Sequence, residues 1–127
     1  MTTLKGLVFS GKGEGEFYIN LYARNIRAKL GFIPYPGTLN VRILDEYTEK
    51  YQEAIMKIIP VIVDPPLIPG SKLGRAVFYT AYLHGVKVYI VRPEITVYGF
   101  DVIEIVAPFN IRQKFGLRDG DEVEIEI

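Results

Sequence analysis

Cysteine is absent from this chain, and histidine occurs once, at position 84. The first absence excludes disulfides, thiolate zinc sites and a cysteine nucleophile. With a single histidine, no histidine-rich metal site can form. A serine-histidine-acid triad has no supporting motif either. Neither sign of charge is in excess: fifteen basic residues face fifteen acidic ones. Such a chain has no overall field to draw in DNA or an anionic membrane. No apolar run reaches membrane-spanning length, and the N-terminus lacks the apolar core of a signal peptide. These absences point to a cytoplasmic protein with no nucleic-acid and no membrane partner. Freedom from cysteine also suits a protein exposed to heat. There is no internal repeat and no linker, so residues 1–127 are expected to form one domain.

What is present is apolar residue in short runs. Apolar side chains make up 49% of the chain, enough for a core. Segments 4–10, 16–22, 39–44, 74–83, 86–91, 102–106 and 122–127 are rich in branched or aromatic residues and are expected as strands. His84-Gly85 stands between two of them as a two-residue hairpin turn. Seven such strands, punctuated by glycine and proline, indicate a closed barrel or a sandwich. Helices are expected over 23–30, closed by Gly31, over 46–57, and over 110–115, closed by Gly116. Segment 60–70 carries four prolines and reads as a stiff surface loop.

Three stretches could carry chemistry. In the first, Pro36-Gly37 has the residues for the centre of a type II turn, and a strand over 38–43 follows. Residues two apart on a strand share a face, so Thr38 and Asn40 present a hydroxyl and an amide oxygen side by side. Two such oxygens can hold Mg²⁺ when phosphates and water complete its shell. They serve equally as part of a hydrogen-bonded turn. The second stretch, Ser10-Gly11-Lys12-Gly13-Glu14-Gly15-Glu16-Phe17, has glycine at alternate positions. Its backbone N–H groups can form a nest for phosphate, or the loop can simply join two strands. It is no Walker A loop, and with a strand expected after it, no dinucleotide fingerprint. In the third, Val102, Glu104 and Val106 share one face of a strand. A carboxylate in that setting needs a partner: a ligand, an arginine or water. After it, residues 109–116 read as a short basic helix whose Arg112 and Lys114 can meet phosphate or solvent. Asp119-Gly120 then turns the chain into the last strand.

In this order the pieces resemble the archaeal CTP-dependent riboflavin kinases. The matching residues are Ser10 to Gly15, Leu30 to Asn40, Arg92-Pro93, Thr96, Ile103 to Pro108, Arg112 and Asp119 to Asp121. The resemblance spans nearly the whole chain. Its specific elements are Pro-Tyr-x-Gly-Thr-Leu-Asn and Ile-Glu-Ile-x-Ala-Pro. It implies a mainly β fold, a six-stranded closed cradle-loop barrel with a few short helices. It implies transfer of the γ-phosphoryl of CTP to the 5′-hydroxyl of riboflavin, giving FMN and CDP; apart from the resemblance, the chain is expected to act as a monomer. Thr38 and Asn40 match Mg²⁺ ligands. Lys12, Gly13, Glu14, Gly15, Glu16 and Phe17, with Phe109, Asn110, Ile111 and Arg112, match the two segments around the nucleotide. Thr96 and Glu104 match flavin contacts. Glu16 departs from the resemblance, standing where relatives often carry a basic residue. No general base is identified. Two other classes stay open: a flavin- or nucleotide-binding barrel without catalysis, and a swapped-hairpin DNA-binding regulator, which the charge balance disfavours.

Overall fold

The computed structural model describes residues 1–96 and 98–127. Its strands are β1 (Thr3–Phe9), β2 (Leu39–Ile43), β3 (Val61–Val63), β4 (Ala76–Leu83), β5 (Val86–Pro93), β6 (Val102–Val106) and β7 (Glu122–Glu126). Helices α1 (Gly15–Leu30), α2 (Thr48–Met56) and α3 (Ile111–Phe115) lie between them. All pairings are antiparallel, and β4-β5-β6-β2-β1-β7 return to β4 to close a six-stranded barrel. One edge of β4 is divided. Its last residues, Tyr82 and Leu83, pair with β7, while its first, Ala76 to Phe78, pair with β3. His84-Gly85 is the expected hairpin turn: both residues take positive φ, 48° and 79°, as a primed turn requires.

Alternation sorts each strand into two faces. Leu4 and Val8, Val41 and Ile43, Val88 and Ile90, Ile103 and Ile105, and Val123 and Ile125 fill the barrel. Tyr51 of α2 and Ile111 of α3 join that cluster. A second cluster lies outside the barrel. There Ile19, Tyr22 and Ile26 of α1 cover Val63, Ala76, Phe78, Val91 and Val106.

Two expectations fail here. Segment 16–22 is not a strand but the first half of α1. Its aromatic and branched residues favour a strand locally, yet Ile19, Tyr22 and Ile26 recur with the spacing of a helical stripe, and all three are buried. Arg27 and Lys29 sit in the last turn, and Gly31 closes the helix at φ 78°. Within the proline-rich segment 60–70, Val61–Val63 forms β3, because β4 offers a free edge and Val63 finds a place beneath α1.

No helix among the described residues is long and apolar enough to cross a membrane. A strand over 16–22 would set Phe17 and Ile19 on one face; the helix separates them, leaving Phe17 72% exposed and Ile26 fully covered. Ile26→Ala should cost about 2–5 kcal/mol in urea unfolding, and Phe17→Ala under about 0.5 kcal/mol. Equal losses at the two positions would contradict the helix and its buried face.

Candidate active site

The outer face of the barrel changes character along one row. Phe9, Asn40, Glu104, Val91 and Phe78 are successive partners across β1, β2, β6, β5 and β4. The apolar end of this row lies under α1, and the polar pair Asn40–Glu104 lies beyond it. Thr38, just before β2, joins them. Its Oγ1 donates to Glu104 Oε1 at 3.2 Å and lies 3.5 Å from Asn40 Oδ1. The carboxylate read from the sequence as needing a partner therefore has one. Burial pushes the Glu104 carboxyl above the usual glutamate range, while the Thr38 hydrogen bond and the Arg92 charge pull it back.

Segment 34–38 delivers Thr38 to this point. Gly37 takes φ 132°, well beyond the roughly 80° of a type II turn. The expected tight turn is instead an open bend, tied to the sheet by the Tyr35 N–H donating to the Ala107 carbonyl at 2.8 Å.

The glycine loop rests directly on these oxygens. A Cβ on Gly15 would stand 2.6 Å from Thr38 Oγ1, and one on Gly11 would stand within 2.6 Å of both Asn40 and the Tyr98 hydroxyl. A side chain at either position would have to push these groups aside, which glycine avoids. Gly13 supplies the positive φ, 78°, between them. The loop opens a helix and does not join two strands, so the expected hairpin connection is corrected. The N–H groups of the first turn of α1 have no acceptor within the helix and lie at the positive end of its dipole.

Ser10 fixes the start of the loop. Its Oγ donates to Asp119 at 2.7 and 2.9 Å. Arg112 Nη2 donates to Asp119 Oδ1 at 2.7 Å and to the Phe9 carbonyl at 3.3 Å. Arg112 is thus partly engaged in holding the loop. The Asp119-Gly120 turn, which the sequence offered only as a turn, is what anchors it. On the far side, residues 98–100 are drawn in by Arg92, which donates to the Gly99 and Tyr98 carbonyls and stacks over Phe100. Tyr98 meets the Phe9 ring edge-on, 5.9 Å between centroids.

These elements enclose a cavity of about 530 Å³. Lys12, Gly13, Glu14, Gly15, Glu16, Thr38, Asn40, Thr96, Glu104 and Arg112 all line it. A smaller space of about 170 Å³ adjoins it, sharing Pro36, Gly37, Thr38 and Arg112 and lined by Phe109, Asn110 and Ile111. Phe17 lines neither and points outward. Tyr18 and Tyr98 are cavity residues that the sequence did not single out. The signal for Tyr18 was the helical spacing of its neighbours Ile19, Tyr22 and Ile26.

The donor set suits a hard cation. Thr38, Asn40 and Glu104 offer oxygen alone. Among the described residues no group of three or more His, Cys, Asp or Glu side chains could hold a metal. A cation here would therefore have at most one protein carboxylate, Glu104, and would rely on neutral oxygens and its substrate for the rest.

A family model named CTP-dep_RFKase, described as "Domain of unknown function DUF120", matches residues 8–127. The chain belongs to the CTP-dependent riboflavin kinase family. It is 45% identical to a riboflavin kinase of Aeropyrum pernix, over 97% of this chain and 93% of that protein. It is 47% identical to a riboflavin kinase of Pyrobaculum islandicum, over 98% of this chain but 59% of that protein. A riboflavin kinase of Archaeoglobus fulgidus is 38% identical, over 98% of this chain and 54% of its own length. The chain thus spans nearly all of one relative and little more than half of the other two.

The anchoring of the family's glycine loop can be tested by pH. The Ser10 hydrogen bond, and then Arg112, hold the Asp119 carboxyl below its ordinary value of 3.8. An acid lowered in this way stabilises the fold above its ordinary range and loses that contribution as the pH falls. Asp119→Asn should lower the melting temperature near neutral pH, and the gap should close only below pH 3.8, as the pH falls through the lowered value of the folded state. A gap that stays constant down to low pH would contradict the pairing.

Proposed function

We propose that the chain is a riboflavin kinase that transfers the γ-phosphoryl of CTP to the ribityl 5′-hydroxyl of riboflavin, giving FMN, CDP and a proton. The observation that carries this reading is the convergence of the Thr38, Asn40 and Glu104 oxygens beneath a glycine loop, in a member of this family. Family membership supports the flavin as acceptor. The choice of CTP rests on the family's name.

The roles follow from position. The backbone of Lys12 to Glu16, with the N-terminal N–H groups of α1, holds the phosphates, while Phe17 points away from them. Phe109, Asn110, Ile111 and Arg112 line the adjoining space, which takes the cytidine. Thr38 and Asn40 are the residues that would hold Mg²⁺. When bound, the ion would neutralise phosphate charge as it develops. Glu104 lies 3.2 Å from the Thr38 hydroxyl. It accepts a hydrogen bond from the ribityl end of riboflavin, and Thr96, on the same cavity wall, contacts the flavin. In the transfer, the bond from the γ-phosphorus to the bridging oxygen of CDP breaks as the bond to the 5′-oxygen forms. Positioning and charge neutralisation supply most of the catalysis in such reactions. The reading includes action as a monomer in the cytoplasm.

The experiment is incubation with riboflavin, Mg²⁺ and each nucleoside triphosphate in turn, followed by separation of the flavins. FMN should form with CTP and far more slowly with ATP. Equal rates with all nucleotides would remove the cytidine claim, and no FMN with any would remove the kinase claim. In the same assay Asn40→Ala should lower turnover and raise the Mg²⁺ concentration needed, with the fold intact. A folded variant with unchanged Mg²⁺ dependence would remove Asn40 from the metal site.

A further inference from the structure

Tyr18 holds a polar atom that the fold leaves unanswered. Its hydroxyl is shielded from solvent and makes no hydrogen bond of good geometry among the described residues, with only a weak contact to the Tyr22 hydroxyl. The ring packs against a second tyrosine. It is stacked on Tyr22, 4.4 Å between centroids and 22° between planes, and the Tyr22 hydroxyl is itself tied to the Gly74 carbonyl at 2.5 Å. A buried hydroxyl without a partner is costly, and native proteins rarely keep one without reason. Tyr18 lines the same 530 Å³ cavity as Thr38, Thr96 and Glu104. It stands one turn inside α1, immediately after the glycine loop.

We propose that the Tyr18 hydroxyl hydrogen-bonds the ribityl chain of riboflavin and, with Glu104, selects a polyol over a bare flavin ring. The proposal rests on the riboflavin kinase reading above. Glu104 sits against Thr38, where phosphoryl transfer would take place, so the part of riboflavin beside it is the end that carries the 5′-hydroxyl. The ribityl chain leads from there to the ring system. Each of its hydroxyls both donates and accepts. An ionised Glu104 only accepts, and a phenol beside it can donate to the next oxygen along. The phenol stays protonated, because burial, Tyr22 and the nearby Glu104 charge all push its pKa up. A ring edge with a single imide N–H would satisfy this pair less completely than a run of hydroxyls.

The test is Tyr18→Phe, which keeps the stacked ring and removes only the oxygen. Fluorescence titration should show riboflavin binding weakened by about tenfold, roughly the loss of one good hydrogen bond. Binding of CTP, and of lumiflavin, which has the ring without the ribityl chain, should match the unchanged protein. The ligand-free melting temperature should stay the same or rise, since at most a weak contact with the Tyr22 hydroxyl is lost. Unchanged riboflavin affinity would overturn the proposal. So would equal weakening of riboflavin and lumiflavin, which would place the contact on the ring, and so would a loss confined to CTP. If the unchanged protein binds no riboflavin, the riboflavin kinase reading itself falls. If it binds and the variant binds equally well, only the role of Tyr18 falls.

Discussion

The seat of α1 on the outside of the barrel is the constraint from which the site follows. Ile19, Tyr22 and Ile26 bury themselves on β3, β4, β5 and β6, and each such side chain contributes about 1.5–3 kcal/mol. That contact fixes where the helix begins. Its N-terminus and the glycine loop before it then lie over the polar pair Asn40 and Glu104 of the outer face. Glycine suits this close approach, because a side chain at Gly11 or Gly15 would have to push Asn40 or Thr38 aside.

The cavity is held by two tethers of different kind. On one side Asp119 and Arg112 clamp Ser10 and the end of β1 through exposed, charge-assisted hydrogen bonds. On the other, Arg92 gathers residues 98–100 through backbone carbonyls and an aromatic ring. Between them lie few fixed charges. Glu104 is the half-buried carboxylate of the row, and its raised pKa reflects the cost of that place. A protein of zero net charge can still bind two anionic or polar substrates in this way, because oriented backbone N–H groups and a few side chains act locally.

Much of this was legible from residues alone. Six of the expected strands, the His84-Gly85 turn and the helix ends at Gly31 and Gly116 stand as read, because alternation and positive-φ glycines are local signals. The pairing of Thr38 with Asn40 followed from strand period, and the need of Glu104 for a partner from its apolar neighbours. Segment 16–22 misled, since Phe17, Tyr18 and Ile19 favour a strand until the spacing of Ile19, Tyr22 and Ile26 is weighed across the whole of α1. β3 could not be read, because it depends on the free edge of β4, a tertiary feature. The roles of Asp119 and Tyr18 were hidden for the same reason: their partners, or lack of one, lie far along the chain.

The most direct measurement of the central claim, that flavin and nucleotide meet at this polar stretch with the flavin held by Glu104, is separate titration of riboflavin and CTP against Glu104→Gln. The variant keeps shape and a carbonyl acceptor but removes the charge. Hydrogen bonds to charged groups contribute about 1.5–3 kcal/mol, so riboflavin affinity should fall by about one to two orders of magnitude. CTP affinity should stay close to that of the unchanged protein. Unchanged riboflavin affinity, or a loss that falls on CTP instead, would contradict the account.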